Sequence, residues 1–128
     1  MNILIIDAAK EKIFLMIIKS ENNYSISYEN SKTNYERLSA LINEFLDSQN
    51  LKIDDISKLY VNCGPGSFAG IRNSLSIAKA IYVAKKIDYY CFSFRDFNGI
   101  DNNKYENIPK LCDKFDIKKN LINPIYIS

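Results

Sequence analysis

The sequence predicts a single α/β domain in which helices pack on a mixed five-stranded sheet. Three strand-like segments come first, and two further strands then alternate with helices, which gives the element order βββαβαβ. Strands joined by short turns run antiparallel, whereas strands joined through a helix run parallel, so this order predicts a mixed sheet. A length of 128 residues and an apolar fraction of 47% fit one ordinary globular domain.

The first three elements form a predicted antiparallel meander. Residues 2–7 are a short apolar run that ends in an acid, which is typical of a central strand covered on both faces. A tight turn at 8–11 leads into a second predicted strand at 12–19. Residues 24–29 then alternate with a period of two, which indicates a half-exposed strand at an edge of the sheet.

The period changes to that of a helix between residues 33 and 48, where apolar side chains recur on one face. Thr33 and Glu36 fit a capping box at the start of this helix. A buried strand at 59–61 follows, and a second helix is predicted over 68–86.

The last part of the chain is predicted to add a fifth strand at 88–93, a short helix at 108–115 and a terminal strand at 121–127. Pro124 places the terminal strand at an edge, because proline has no N–H to donate to a neighbouring strand. This order of elements indicates an α/β fold of the ribonuclease-H-like kind.

The helix at 68–86 carries two apolar stripes, although a helix on one face of a sheet needs only one. The first stripe consists of Phe68, Ile71, Leu75, Ala78 and Tyr82. The second, nearly opposite, consists of Ile77, Ala80, Ile81 and Ala84. We expect the second stripe to be covered either by the C-terminal segment of the chain or by a partner protein.

Composition excludes several classes of function. The sequence contains no histidine, which removes Ser-His-Asp and Cys-His catalytic pairs and HExxH zinc sites. Its net charge of +2, with lysines spread along the chain, gives little support for nucleic-acid binding. Cysteines 63, 91 and 112 lack CxxC spacing and are expected to be reduced, packed thiols. Without an apolar run of membrane-spanning length or a signal-peptide pattern, we expect a cytoplasmic protein that does not enter membranes.

The stretch from Asn62 to Arg72 holds three of the four glycines, Gly64, Gly66 and Gly70, between a strand and a helix. Such a turn presents backbone N–H groups that can bind an anion. The spacing is not that of a P-loop, and Pro65 has no N–H for a phosphate, which counts against a dinucleotide fingerprint. Two interpretations stay open: glycines that permit a sharp turn and close helix packing without a ligand, or a nucleotide-binding enzyme or sensor.

Three polar side chains near this turn are candidates for a role. Ser67 is predicted to cap the following helix, because no histidine or lysine is placed to activate it as a nucleophile. Asp7 ends the first strand at the mouth of the presumed cleft and is expected to accept hydrogen bonds from the turn. Arg72 lies one turn into the helix, where the dipole disfavours a cation, so we expect either a local acid or a partner's carboxylate or phosphate beside it.

Residues 64–72, Gly-Pro-Gly-Ser-Phe-Ala-Gly-Ile-Arg, closely resemble the signature GPGSFTG[IV]R of the TsaB family and agree at eight of its nine positions. This bacterial family assists the formation of N6-threonylcarbamoyladenosine at position 37 of tRNA. Residues 5–9 are similar to the family's opening strand and turn, and residues 124–127 are loosely similar to its C-terminus. The chain departs from the family pattern at Ala8, Asn34 and Ala69. Each departure removes a hydroxyl or imidazole that could hold a phosphate or transfer a proton.

The resemblance implies a lobe of the actin/Hsp70/sugar-kinase type over residues 1–98. Residues 99–128 would be a remnant C-terminal segment packed on the same lobe, with most of the second lobe deleted. It further implies a non-catalytic subunit that binds and activates TsaD in threonylcarbamoyl transfer to adenosine 37 of tRNA. TsaE is expected in the assembly, tRNA is expected to be contacted only indirectly, and no cofactor or metal is expected. A stand-alone homodimer is the alternative to a heterodimer with TsaD.

The resemblance and the second apolar stripe together predict which residues bind a partner and which form the signature turn. The expected partner-binding residues are Tyr35, Leu38, Arg72, Ile77, Ala80, Ile81 and Ala84. The signature turn consists of Gly64, Pro65, Gly66, Ser67, Phe68, Gly70 and Arg72. For Tyr35 and Leu38, a place in the hydrophobic core is the competing interpretation. Asp7 would mark a vestigial cleft, and no residue is expected to be catalytic.

Overall fold

The computed structural model describes residues 1–20, 22–97, 104–122 and 124–125 and contains one five-stranded mixed sheet. Its strands are β1 (Asn2–Asp7), β2 (Lys12–Lys19), β3 (Asn22–Glu29), β4 (Lys58–Asn62) and β5 (Asp88–Phe92). They lie in the order β3-β2-β1-β4-β5, and β1 pairs antiparallel with β2 and parallel with β4. The predicted meander, the central position of β1 and the edge position of β3 are confirmed.

Helices cover both faces of the sheet. The helices are α1 (Lys32–Glu36), α2 (Leu38–Ser48), α3 (Phe68–Lys85) and α4 (Ile108–Lys114). The first three pack on one face, where Leu38, Phe45 and Leu75 join the side chains of β1 and β4 in one core. The fourth packs on the opposite face, where Leu111 contacts a core that contains Ile5 and the aromatic rings of β4 and β5. Because β1 is covered on both faces, its residues are apolar without alternation.

The helix predicted at 33–48 is interrupted. Arg37, with φ −97° and ψ 13°, lies outside helical geometry and separates α1 from α2. The N-cap of α1 is Ser31, whose hydroxyl accepts a hydrogen bond from the Asn34 N–H at 3.1 Å. The predicted capping box of Thr33 and Glu36 is therefore wrong, because Thr33 already lies inside the helix, whereas an N-cap residue has non-helical backbone angles.

The terminal strand predicted at 121–127 is absent at residues 121, 122, 124 and 125, and its other positions lie outside the described residues. The segment reaches the sheet earlier, at Lys119 and Asn120. The Asn120 N–H donates to the Tyr89 carbonyl at 2.7 Å, and the Asn120 side chain accepts from the Tyr89 N–H at 2.9 Å. The Asn120 amide also donates to the Asp88 carboxylate at 2.9 Å, which holds the pKa of Asp88 below its usual value. These bonds close the outer edge of β5.

Glycines bring α3 against the turn between β1 and β2. A Cβ atom built on Gly66 would overlap the carbonyl oxygen of Ala9, and one built on Gly70 would overlap that of Ala8. The Ser67 N–H donates to the same Ala9 carbonyl at 3.0 Å. The Ser67 hydroxyl accepts from the Gly70 N–H at 3.3 Å, which confirms Ser67 as the N-cap of α3. The start of α3 is thus fixed by contact between two stretches of backbone.

Replacing Gly70 with alanine is expected to lower the free energy of unfolding by about 1–3 kcal/mol, because the new methyl group meets the Ala8 carbonyl in a packed site. Helix propensity alone would favour alanine by about 1 kcal/mol, so the sign of the effect is informative. Ser76→Ala, at an exposed position of the same helix, is the control and should change stability by less than about 0.5 kcal/mol. Urea denaturation followed by circular dichroism measures both, and a Gly70→Ala protein as stable as the parent would contradict the packing argument.

Candidate functional site

The signature turn is enclosed by other parts of the same chain. After β4 the backbone reaches Gly64 at φ +114°, and a Cβ atom there would overlap the carbonyl oxygen of Ile125. The Cys63 N–H donates to the Phe92 carbonyl at 2.8 Å, and the Cys63 carbonyl accepts from the Ile125 N–H at 2.7 Å. Backbone oxygens of the chain itself thus occupy the space beside each signature glycine. This arrangement favours the structural interpretation of the glycines over a ligand site.

Asp7 is the polar centre beneath the turn. Its side chain is fully buried, with Oδ1 accepting from the Ala9 N–H at 3.1 Å. Its Oδ2 accepts from the Asn62 amide at 3.0 Å and from the Tyr105 hydroxyl at 2.6 Å. Asn62 in turn accepts from the Gly64 N–H at 2.9 Å. The expectation that Asp7 bonds to the turn is met, but its position at the mouth of a cleft is wrong, because the Tyr105 side chain covers it.

Sequence reasoning did not identify Tyr105. It lies 98 positions from Asp7 along the chain, in a short 3₁₀ turn (Tyr105–Asn107) before α4, and no local pattern marks it. Its ring stacks on Phe14 with centroids 4.2 Å apart. Burial, together with the neighbouring Asp7 carboxylate, raises the pKa of Tyr105, so its hydroxyl keeps its proton and remains a donor.

Cys63 beside the turn and Cys112 on α4 are packing groups of low reactivity. All three cysteines are free and buried. Burial raises the pKa of Cys63 to about 11 and that of Cys112 to about 12. A thiol with such a pKa is protonated at neutral pH and is a poor nucleophile.

An open cleft of about 760 Å³ lies beside the turn, between it and the β1–β2 hairpin. Its lining includes Lys10, Lys12, Phe14, Ser67 and Tyr105. The Lys10 ammonium group lies 4.1 Å from the centre of the Phe94 ring, a cation–π distance. Within the described ranges, acidic and cysteine side chains form no group of three that could hold a metal ion.

The first apolar stripe of α3 is buried only in part. Ile71, Leu75 and Ala78 lie in the core as predicted. Phe68 does not, since 54% of its surface is exposed. It is the first residue of α3, and its ring lies 6.0 Å from the Arg72 guanidinium carbon. Arg72 forms no ion pair with any residue in the described ranges, so the local acid considered for it is absent there.

The second stripe of α3 is not covered by the described part of the C-terminal segment. Ile77 and Ile81 are half-buried against the core, whereas Ala80 and Ala84 are exposed. Ile122 and Pro124 flank the helix across a groove of about 630 Å³. A smaller groove of about 180 Å³ separates α3 from α2. Ala80 lines both grooves and so lies on the ridge between them.

Two of the expected partner residues belong to the core instead. Leu38 is 1% exposed, so it cannot present its side chain to a partner, because α2 buries it against the sheet. Tyr35 is 8% exposed and also lies in this core. Its hydroxyl makes no hydrogen bond within the described residues, and its main-chain carbonyl accepts from the Asn73 amide at 3.3 Å.

Across the described ranges, none of the helices is both long and apolar enough to span a membrane.

A family model described as "TsaD: tRNA N6-adenosine threonylcarbamoyltransferase" matches residues 20–93, more than half of the chain and the part that contains the signature turn. Among curated proteins, the tRNA threonylcarbamoyladenosine biosynthesis protein TsaB of Buchnera aphidicola subsp. Schizaphis graminum is 28% identical over 91 residues. The alignment covers 71% of this chain and 43% of that protein, so the chain spans less than half the length of its curated relative.

Two solved structures bear on the fold. YeaZ from Pseudomonas aeruginosa superposes with a TM-score of 0.66 at 17% identity, over 72% of this chain and 43% of that one. The RuvC of T. thermophilus in complex with a Holliday junction superposes with a TM-score of 0.53 at 10% identity, over 98% of this chain and 86% of that one. At these identities the likenesses establish the fold alone, and they confirm the predicted fold class.

The matched range, the signature turn and the fold agree with one another. The chain therefore belongs to the family of TsaD, tRNA N6-adenosine threonylcarbamoyltransferase, and within that family it is TsaB-like.

Proposed function

We propose that this chain takes part in the biosynthesis of N6-threonylcarbamoyladenosine as a non-catalytic subunit. In this role it binds TsaD through α3 and activates it in threonylcarbamoyl transfer to adenosine 37 of tRNA. The single observation that carries the proposal is the outer face of α3, which is apolar, grooved on both sides and left open by the described C-terminal residues. The name of the curated TsaB relative supplies the pathway.

The burial and the hydrogen bonds of Asp7 support a non-catalytic role. Three donors, Ala9, Asn62 and Tyr105, already bind its two oxygens, and the side chain has no contact with solvent. A catalytic carboxylate must reach a metal, a water or a substrate, and Asp7 could do so only by losing these bonds. The chain also lacks histidine, and Cys63 beside the turn has a raised pKa.

The chemistry of the α3 face indicates what its partner presents. Ser76, Ala80 and Ala84 recur at a spacing of four, and such small side chains let a second helix approach closely. The helix contains no acidic residue, and Arg72 and Lys79 form no ion pair with described residues. We infer that TsaD docks an apolar helix on this ridge and places carboxylates opposite these two cations.

Polar side chains border the ridge where α1 lies beside α3. Tyr35 lines a third depression together with Asn73 and Ser76, next to the ridge. Ile77 and Ile81 contribute the wall of the groove shared with α2.

The remaining parts of the proposal follow from the same role. TsaE joins the assembly, tRNA is contacted only indirectly, and the complex works in the cytoplasm. Residues 1–98 form the lobe that carries the interface, and residues 99–128 serve to complete it. Two contacts support this assignment of the two segments: α4 packs on the sheet, and the Tyr105 hydroxyl donates to Asp7.

Ala80→Arg is expected to weaken binding to TsaD at least about tenfold, or 1.4 kcal/mol, because the long cation blocks the ridge between the two grooves. Ala40→Arg is the matched control: Ala40 is exposed on α2 and lines none of the grooves. Isothermal titration calorimetry with the cognate TsaD measures both affinities, and thermal melts verify that both variants fold. Equal binding by the Ala80→Arg and parent proteins would overturn the docking face.

Tyr105→Phe is expected to lower the free energy of unfolding by about 1.5–3 kcal/mol, because a buried carboxylate loses one of its donors. Threonylcarbamoylation by the reconstituted complex should stay within about twofold of the parent rate at temperatures where the variant is folded, since the network is structural. A loss of activity of more than about a hundredfold in a variant of unchanged stability would show that Asp7 and Tyr105 act in catalysis.

A further inference from the structure

The two edges of the sheet differ in whether another segment of the described chain bonds to them. Lys119 and Asn120 close the outer edge of β5, as described above. In the described ranges, β3 pairs with β2 alone, through a continuous register from Lys12–Glu29 to Lys19–Asn22 without a bulge. Every second residue of β3 therefore directs its N–H and C=O groups away from the sheet. An edge of this length without a covering element is a template for another strand.

The sequence of β3 lacks the features that normally protect an edge. Its only charged residue is Glu29, at its end, and it contains no proline. Tyr24 and Ile26 are 39% and 37% exposed, so both offer apolar surface to a neighbouring strand. The central residues, Tyr24-Ser25-Ile26-Ser27-Tyr28, read the same in both directions. A strand with this symmetry is complementary to an antiparallel copy of itself.

We propose that β3 pairs antiparallel with β3 of a second copy of this chain, about a two-fold axis at Ile26. In that register Ile26 faces Ile26 of the partner subunit, and Tyr24 faces Tyr28 of the partner subunit. Ser25 faces Ser27 of the partner subunit on the other side of the sheet. Aromatic, β-branched and hydroxyl cross-strand pairs of this kind each stabilise an antiparallel ladder.

The geometry limits the assembly to two copies. A contact about a two-fold axis uses the same surface on both subunits and so consumes the open edge of each. The other edge is closed by Asn120, so the joined sheet cannot grow further. A single pair of short strands buries less than a standard interface, and we expect a dimer that forms in the micromolar range. The contact does not involve α3, so it is independent of the proposed binding to TsaD.

Cysteine cross-linking tests the register. Opposite residues of an antiparallel pair have Cα atoms about 4.5–5.5 Å apart, within reach of a disulfide. Ile26→Cys should therefore give a reducible dimer under mild oxidation. Tyr24→Cys is the matched control: it has similar exposure, but its two copies are offset by four residues, about 13 Å. We expect Ile26→Cys to cross-link at least tenfold faster than Tyr24→Cys. The three native cysteines are buried and should not react. Equal rates, or no cross-linked dimer with Ile26→Cys, would overturn the proposal.

Charge pairing provides a second test that needs no oxidation. Ser25 and Ser27 are both exposed, so substitutions there leave the core intact. Ser25→Lys with Ser27→Lys places like charges opposite each other and should weaken the dimer at least tenfold in sedimentation equilibrium. Ser25→Lys with Ser27→Glu places opposite charges together and should keep it. A parent chain that stays monomeric up to high micromolar concentration, or two double variants that dimerise equally, would refute the pairing.

Discussion

The Asp7 carboxylate holds together parts of the chain that are far apart in sequence. It accepts one hydrogen bond from its own turn, one from Asn62 at the end of β4 and one from Tyr105 before α4. Because the group is fully buried, losing any one donor leaves an acceptor without water to replace it. The Asn62 side-chain oxygen accepts from the Gly64 N–H, so the same network also positions the start of the signature turn.

The position of α3 follows from that turn. Gly66 and Gly70 have no side chains, which lets the helix start directly on the carbonyl oxygens of Ala8 and Ala9. The first turn of the helix is held by backbone contacts and its inner face by Ile71, Leu75 and Ala78, whereas Ala80 and Ala84 on its outer face are exposed. This leaves the ridge at Ala80 and Ala84 exposed between the two grooves.

The family relationship and the site chemistry describe different properties of the chain. The match to the TsaD family model and the likeness to YeaZ concern the sequence pattern and the fold. A fold of this kind also occurs in the RuvC structure, so the fold by itself does not determine an activity. In this chain the acid at the end of β1 is saturated by hydrogen bonds from other parts of the chain and is covered by Tyr105.

Local patterns in the sequence determined the strands of the meander, the edge position of β3 and the capping role of Ser67, because each depends on neighbouring residues. They could not predict the break at Arg37, the exposure of Phe68 or the closing of β5 by Asn120, which depend on how separate elements meet. The bond between Tyr105 and Asp7 is the clearest case, since it joins residues 98 positions apart and leaves no periodic signal. Sequence sets which backbone conformations and faces are available, and only the packed tertiary structure decides which polar groups become partners once water is excluded.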